Sequence, residues 1–140
     1  MKDATNAADL ALQDDRAERT QFLVDVLSTA VEVGVSYWGA ATHVEDHTGT
    51  TPDGDNLDPL GSGGNCYAAT IYDLETGHEH TVNLDTIALG AARLAASAVA
   101  GDRVHDFRVA NRTNGARGDI DADDADMALQ MGLFGAIIYS

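Results

Sequence analysis

Cys66-Tyr67-Ala68-Ala69-Thr70-Ile71-Tyr72-Asp73-Leu74, then Glu75-Thr76-Gly77, then His78-Glu79-His80-Thr81-Val82-Asn83-Leu84: this stretch decides the fold class. Both arms are rich in β-branched and aromatic residues and alternate in polarity, which predicts strands over Cys66–Leu74 and Gly77–Leu84. The Glu75-Thr76-Gly77 link is short enough to close an antiparallel hairpin.

Upstream of the hairpin, Val35 to Glu45 reads as a further strand with Tyr37 and Trp38 on opposite faces. Residues 48–65 hold Pro52, Pro59, five glycines and five Asp or Asn, a long polar loop. Before them Phe22, Leu23, Val26, Leu27, Ala30 and Val31 recur at helical spacing. With Thr20 as a cap and Gly34 as a stop, they predict a helix over about 20–33. Residues 1–19 are polar and Ala-rich, a tail or loose helix ahead of a single domain over 20–140. Downstream, Asp85 or Thr86 caps a helix over about 86–99. Its stripe of Ile87, Ala91, Leu94, Ala95 and Ala98 is small enough to lie close to the sheet or to a partner helix. Residues 101–118 are irregular, with a short strand at Val104–Ala110. Asp121 caps a last helix to Phe134, Gly135 breaks it, and Ala136–Tyr139 reads as a terminal strand.

The order predicts an α+β fold: an antiparallel sheet of three to five strands with about three helices packed on one face. Leu27, Trp38, Ile71, Ile87, Leu94, Leu129 and Phe134 are the expected core.

The chain has 140 residues, 44% of them hydrophobic, which is enough for one core. No apolar run approaches the ~20 residues of a membrane span. Met1 to Asp15 carries four aspartates and no secretory pattern. The expectation is a soluble protein that stays inside a cell or an infected cell. A single cysteine, Cys66, cannot staple the fold, and a small core residue is its default role.

Charge is the dominant feature. Eight basic residues face 23 acidic ones, 18 Asp and 5 Glu, for a formal net charge of −15. Such a field repels nucleic acid and anionic membranes and attracts a basic protein. Short carboxylates with a single lysine also resemble the composition of salt-adapted proteins, in which acidity maintains solubility. The carboxylates most open to a partner are Glu45, Asp46, Asp53, Asp55 and Asp58, with no Lys or Arg between positions 41 and 60, and Asp119, Asp121, Asp123 and Asp124 around the start of the last helix.

Chemistry-bearing patterns are few. Asp119 to Asp126 alternates like a calcium loop, but Asp124 and Gln130 stand where such a loop needs Gly and Glu. The simpler assignment makes Asp121 a helix cap and puts Asp123 and Asp124 in the first turn, where the helix dipole favours anions. His78 and His80 share a strand face, and His43 and His47 flank Glu45 and Asp46. If those strands paired, imidazoles would converge as for zinc, but exposed strand histidines are the plainer expectation. His105-Asp106 is a weak likeness to the metal pair of helical phosphohydrolases, in a segment that reads as non-helical. Arg103, Arg108, Arg112 and Arg117 suggest either an anion clamp or, preferably, internal pairing with Asp119 to Asp126. No phosphate loop or nucleophile elbow occurs. No cofactor, bound metal or catalytic residue is expected.

Val26-Leu27-Ser28-Thr29-Ala30-Val31-Glu32, Ser36-Tyr37-Trp38, Leu84-Asp85-Thr86-Ile87-Ala88 and the block Gly118-Asp119-Ile120-Asp121-Ala122-Asp123-Asp124-Ala125-Asp126 through Gln130, Leu133-Phe134-Gly135 and Tyr139 together resemble a family of small uncharacterised proteins of tailed phages and prophages of high-GC bacteria. The likeness covers roughly residues 21–140 and is most specific in the C-terminal block. Met127, Ala128 and Ser140 depart from the family's pattern. The resemblance implies a mobile-element setting, with the host cytoplasm as the expected location and virion association as the other, and carries no catalytic residue across. With the charge, it suggests a non-catalytic acidic binding protein that mimics nucleic-acid charge to inhibit a host defence or DNA-processing complex. The alternatives are a salt-adapted, homo-oligomeric structural or virion-associated module and, third, a metal-dependent hydrolase.

Overall fold

A computed structural model of the chain describes residues 2–45, 66–97 and 105–139, with side chains from residue 16 onward. Among these residues the order is α1 (Lys2–Thr29), a wide π turn (Ala30–Gly34), β1 (Gly39–Glu45), β2 (Ala68–Asp73), β3 (Glu79–Asn83), α2 (Leu84–Ala96), α3 (His105–Thr113) and α4 (Ala122–Phe134). The three strands form an antiparallel sheet in the order β1-β2-β3, so the fold is α+β.

The hairpin forms as its alternation requires. Ala69, Ile71 and Asp73 of β2 and Val82 of β3 are buried on one face, while Tyr72, Glu79 and Thr81 are exposed. β1 deviates by one residue: Ala41 pairs with Ile71 but His43 with Thr70, leaving an extra residue at Thr42. The bulge keeps Val44 with Ala41 against the core and leaves His43 and Glu45 exposed.

Val35–Trp38 is a turn, not the start of the strand. The Val35 N–H reaches back to Ala30 O at 2.9 Å, and the N–H groups of Trp38 and Gly39 both bond Val35 O. Such a π turn widens the helix end, and it delivers Tyr37 and Trp38 to α4. Helix α1 begins well before the expected residue 20, at Lys2.

The cap of α2 is Asn83, earlier than Asp85 or Thr86. Its side chain accepts the Thr86 N–H, and the Thr86 hydroxyl accepts the Asn83 N–H in return. The helix ends at Ala96 rather than 99, and Ala98 lies outside the described residues. The expected strand at Val104–Ala110 is instead helix α3 over His105–Thr113. Phe107 and Ala110, three apart, are its buried pair, a helical spacing that outweighs the local alternation.

Arginines tie the helix ends together. Arg108 donates to Ala95 O and Ser97 O at the end of α2, Arg93 to Met131 O near the end of α4, and Arg19 to Asn111 O near the end of α3. Each puts positive charge on orphan carbonyls at the negative pole of a helix dipole. Arg108 thus bonds to main chain at the end of α2.

Six of the seven expected core residues are at most 1% exposed, and Phe134 is half-buried against the same cluster. Leu94, wholly buried on α2, sits among residues of every layer. Leu94→Ala should lower unfolding free energy by about 2–5 kcal/mol, the range for core truncations, as read from a urea titration.

Candidate functional site

The acidic positions fall into separate places. Glu45 is exposed at the end of β1, with His43 Nε2 at 3.7 Å. Asp46, Asp53, Asp55 and Asp58 lie outside the described residues. Asp119, Asp121 and Asp123 are exposed around the start of α4. Asp121 is its N-cap, accepting the Asp124 N–H at 2.8 Å, while the buried Asp124 side chain accepts the Asp121 N–H at 3.2 Å. The Asp121–Asp124 pair is thus a reciprocal capping box, as the helix-start assignment predicts.

The histidines do not meet across paired strands. β2 separates β1 from β3, so His43 and His80 sit on opposite edges of the sheet. His43 is exposed, whereas His80 is half-buried near Trp38. His47 lies outside the described residues, among which no group of three metal-ligating side chains converges. His105 and Asp106 are exposed in the first turn of α3. Cys66 is fully buried, its N–H bonded to Ser28 Oγ, and burial pushes its thiol up to about 11, away from the reactive thiolate.

What the fold brings together is a different set of residues. Trp38 is 1% exposed, and its Nε1–H donates to Asp126 Oδ1 at 2.8 Å. Tyr37, from the same turn, donates its hydroxyl to Asp126 Oδ2 at 2.5 Å. Gln130, one helical turn along α4, donates Nε2–H to Asp126 and to Tyr139 O, each near 3.0 Å. Its Oε1 accepts the N–H groups of both Ile138 and Tyr139 at 2.9 Å. The segment Ala136–Tyr139 is therefore not a strand: one amide side chain takes the backbone bonds that a neighbouring strand would have made.

The Tyr139 ring stacks on Trp38, centroids 4.9 Å apart and 14° from parallel, and Phe134 packs edge-on against both. The Tyr139 hydroxyl donates to Asp73 Oδ2 at 2.8 Å. Asp73, 1% exposed on the covered face of β2, also accepts the N–H groups of Glu75 and Thr76 and faces His80 Nε2 at 3.3 Å. Two buried carboxylates thus saturate themselves with donors from the sheet, the π turn, α4 and the C-terminal segment. This arrangement fixes the relative positions of those elements.

Titration follows from the geometry. Burial alone would raise Asp73, but the hydrogen bonds from Tyr139, Glu75, His80 and Thr76 outweigh it and hold the carboxyl down at about 2. Tyr37 is pushed up to about 12, by burial first and then by its bond to Asp126. Tyr139 is pushed up to about 12, mainly by its bond to Asp73. A lowered carboxyl stabilises the fold above its ordinary value of 3.8 and loses that contribution as pH falls through about 2. The raised phenols stabilise below their ordinary value of 10.0 and lose that contribution as pH rises through about 12. An absorbance titration of the native protein should show tyrosinate developing near pH 12, and Tyr37→Phe or Tyr139→Phe should each remove one tyrosine from that step.

Tyr37, Trp38, Asp126, Gln130, Phe134 and Tyr139 lie in the stretches that carry the family resemblance, whereas Asp73 and His80 lie in the hairpin, where the sequence makes His80 a metal candidate and gives Asp73 no role. The readable signal for Asp73 was its place: third in the inward series Ala69, Ile71, Asp73, a carboxylate on an apolar face. Among the described residues no helix is long and apolar enough to cross a membrane. The chain matches no family model, no curated protein and no solved structure.

Proposed function

We propose that this chain is a non-catalytic binding protein of a phage or mobile element, whose acidic surface engages a basic host protein. Its concrete form is mimicry of nucleic-acid charge against a defence or DNA-processing complex. The observation that carries this reading is how charge is used: net −15, with Arg19, Arg93 and Arg108 donating to helix-end carbonyls while Glu45, Asp119, Asp121 and Asp123 face solvent. Fixed surface carboxylates steer a cationic partner and reject polyanions.

The candidate surface is Asp119, Asp121 and Asp123 at the start of α4, together with Glu45, Asp46, Asp53, Asp55 and Asp58. Neutralising Glu45, Asp119 and Asp123 to Gln or Asn spares the Asp121–Asp124 capping box. It should slow association with a basic partner captured from host lysate by about tenfold at low salt, and the difference should vanish near molar NaCl. Stopped-flow association across NaCl concentrations reads this directly. Equal rates for wild type and variant at every salt would remove the acidic surface from the binding reaction.

A second reading, a homo-oligomeric module whose acidity is salt adaptation, is favoured by the exposed apolar side chains Val33, Tyr37, Leu74, Ile137 and Ile138. Sedimentation of the purified protein separates the two: a concentration-independent monomer supports the first, a stable dimer or larger assembly the second.

A further inference from the structure

The C-terminal segment is held in an uneven way. Ala136, Ile137 and Ile138 are exposed, and neither isoleucine belongs to the buried core. Nearly everything that fixes the segment converges on one residue. Gln130 reads the Tyr139 N–H, its C=O and the preceding N–H; Trp38 takes the ring; Asp73 takes the hydroxyl. An amide that reads backbone, an aromatic floor and a buried carboxylate for the phenol are the parts of a peptide-recognition site. All of them come from the turn before β1, from β2 and from α4, and each is also bonded within the domain: Asp126 holds Trp38 and Gln130, and the Glu75 and Thr76 N–H groups hold Asp73.

The structure assigns to Trp38, Asp73 and Gln130 a binding site for a tyrosine within an extended peptide segment, which the chain's own Tyr139 fills and which a tyrosine of another polypeptide enters in its place. Gly135, in the left-handed conformation at φ 74°, is the joint on which the segment leaves α4. The site distinguishes Tyr from Phe, because without the phenol a lone pair of buried Asp73 loses its donor. It also excludes a phosphorylated tyrosine, whose charge would meet that carboxylate. The acidic-surface reading is not needed for this assignment.

Trp38 is the chain's one tryptophan, so emission under tryptophan-selective excitation reports this site alone. The test uses full-length Tyr139→Ala and an acetylated, amidated peptide Gly-Ala-Ile-Ile-Tyr-Ser. The variant should keep its helical circular dichroism and show altered Trp38 emission. Adding peptide should restore the wild-type spectrum saturably, with the Phe peptide about tenfold or more weaker and the phosphotyrosine peptide inactive. If the variant melts below working temperature, the Tyr peptide should raise its Tm where the Phe peptide does not. The absence of any saturable response in fluorescence or Tm, or equal affinity for the Tyr and Phe peptides, would overturn the assignment.

Discussion

Gly90→Ala and Gly132→Ala should each destabilise the protein by about 3 kcal/mol or more, at the upper end of overpacking effects. On helix propensity alone, alanine in place of a helical glycine stabilises by roughly 1 kcal/mol. The expected loss is therefore steric. A Cβ on Gly90 would lie 1.7 Å from Ala128 O, and one on Gly132 would lie 2.0 Å from Thr86 O. Both obstacles are backbone, so no side chain can rotate away. Accommodation requires α2 and α4 to separate, which opens the packing of Ile87, Ala91, Leu94 and Leu129. Leu89→Ala, on the exposed side of α2, should change stability by only about 0.5 kcal/mol. Thermal and urea unfolding of the three variants check this ordering.

Asp126→Ala should be the most damaging polar substitution, costing about 3–5 kcal/mol. Its carboxylate is 3% exposed and accepts from Trp38, Tyr37 and Gln130. Removing it leaves the Trp38 indole N–H buried with no partner and takes an acceptor from each of the others, and unsatisfied buried donors cost about 1–3 kcal/mol apiece. Gln130 would then lose its orientation, and with it the backbone bonds to Ile138 and Tyr139. The measurements are urea unfolding and the Trp38 emission maximum, which should move to longer wavelength as water reaches the ring.

The fold class was legible because period-two and period-3.6 patterns were clean where one face is buried. Ala69, Ile71 and Val82, then Ile87, Ala91 and Leu94, lie where their spacing puts them. The alanine-rich stripe of α2 allowed either a sheet or a helix as neighbour, and the backbone contacts at Gly90 and Gly132 make it α4. Local pattern failed where tertiary bonds replaced local ones. Val35–Trp38 alternates like a strand, yet bonds back to Ala30, Val33 and Val35 claim its Val35, Ser36 and Trp38 amides. Ala136–Tyr139 has the apolar content of a strand, yet a side-chain amide pairs with it. His105–Thr113 carries few apolar residues, and its place is fixed by Phe107 and by Arg108 on the end of α2.

The candidate site was legible in half. Asp121 and Asp124 could be read as a helix start because capping is local. The cluster around Trp38 could not be assembled from spacing, since its members come from positions 37 to 139. What the sequence did offer was anomaly: Asp73, Asp126 and Gln130 occupy inward positions where an apolar residue would serve packing better, and buried polar groups persist only where partners satisfy them.

Hydrogen exchange at the Trp38 indole N–H, followed by heteronuclear NMR, tests most directly the claim that one buried carboxylate joins the π turn, α4 and the C-terminal segment. The single tryptophan gives a single indole resonance. In the wild type that resonance should be strongly protected, exchanging only with global unfolding, and Asp126→Ala should abolish the protection. An indole proton that exchanges within the dead time in the folded wild type would contradict the bond to Asp126 and the cluster built on it.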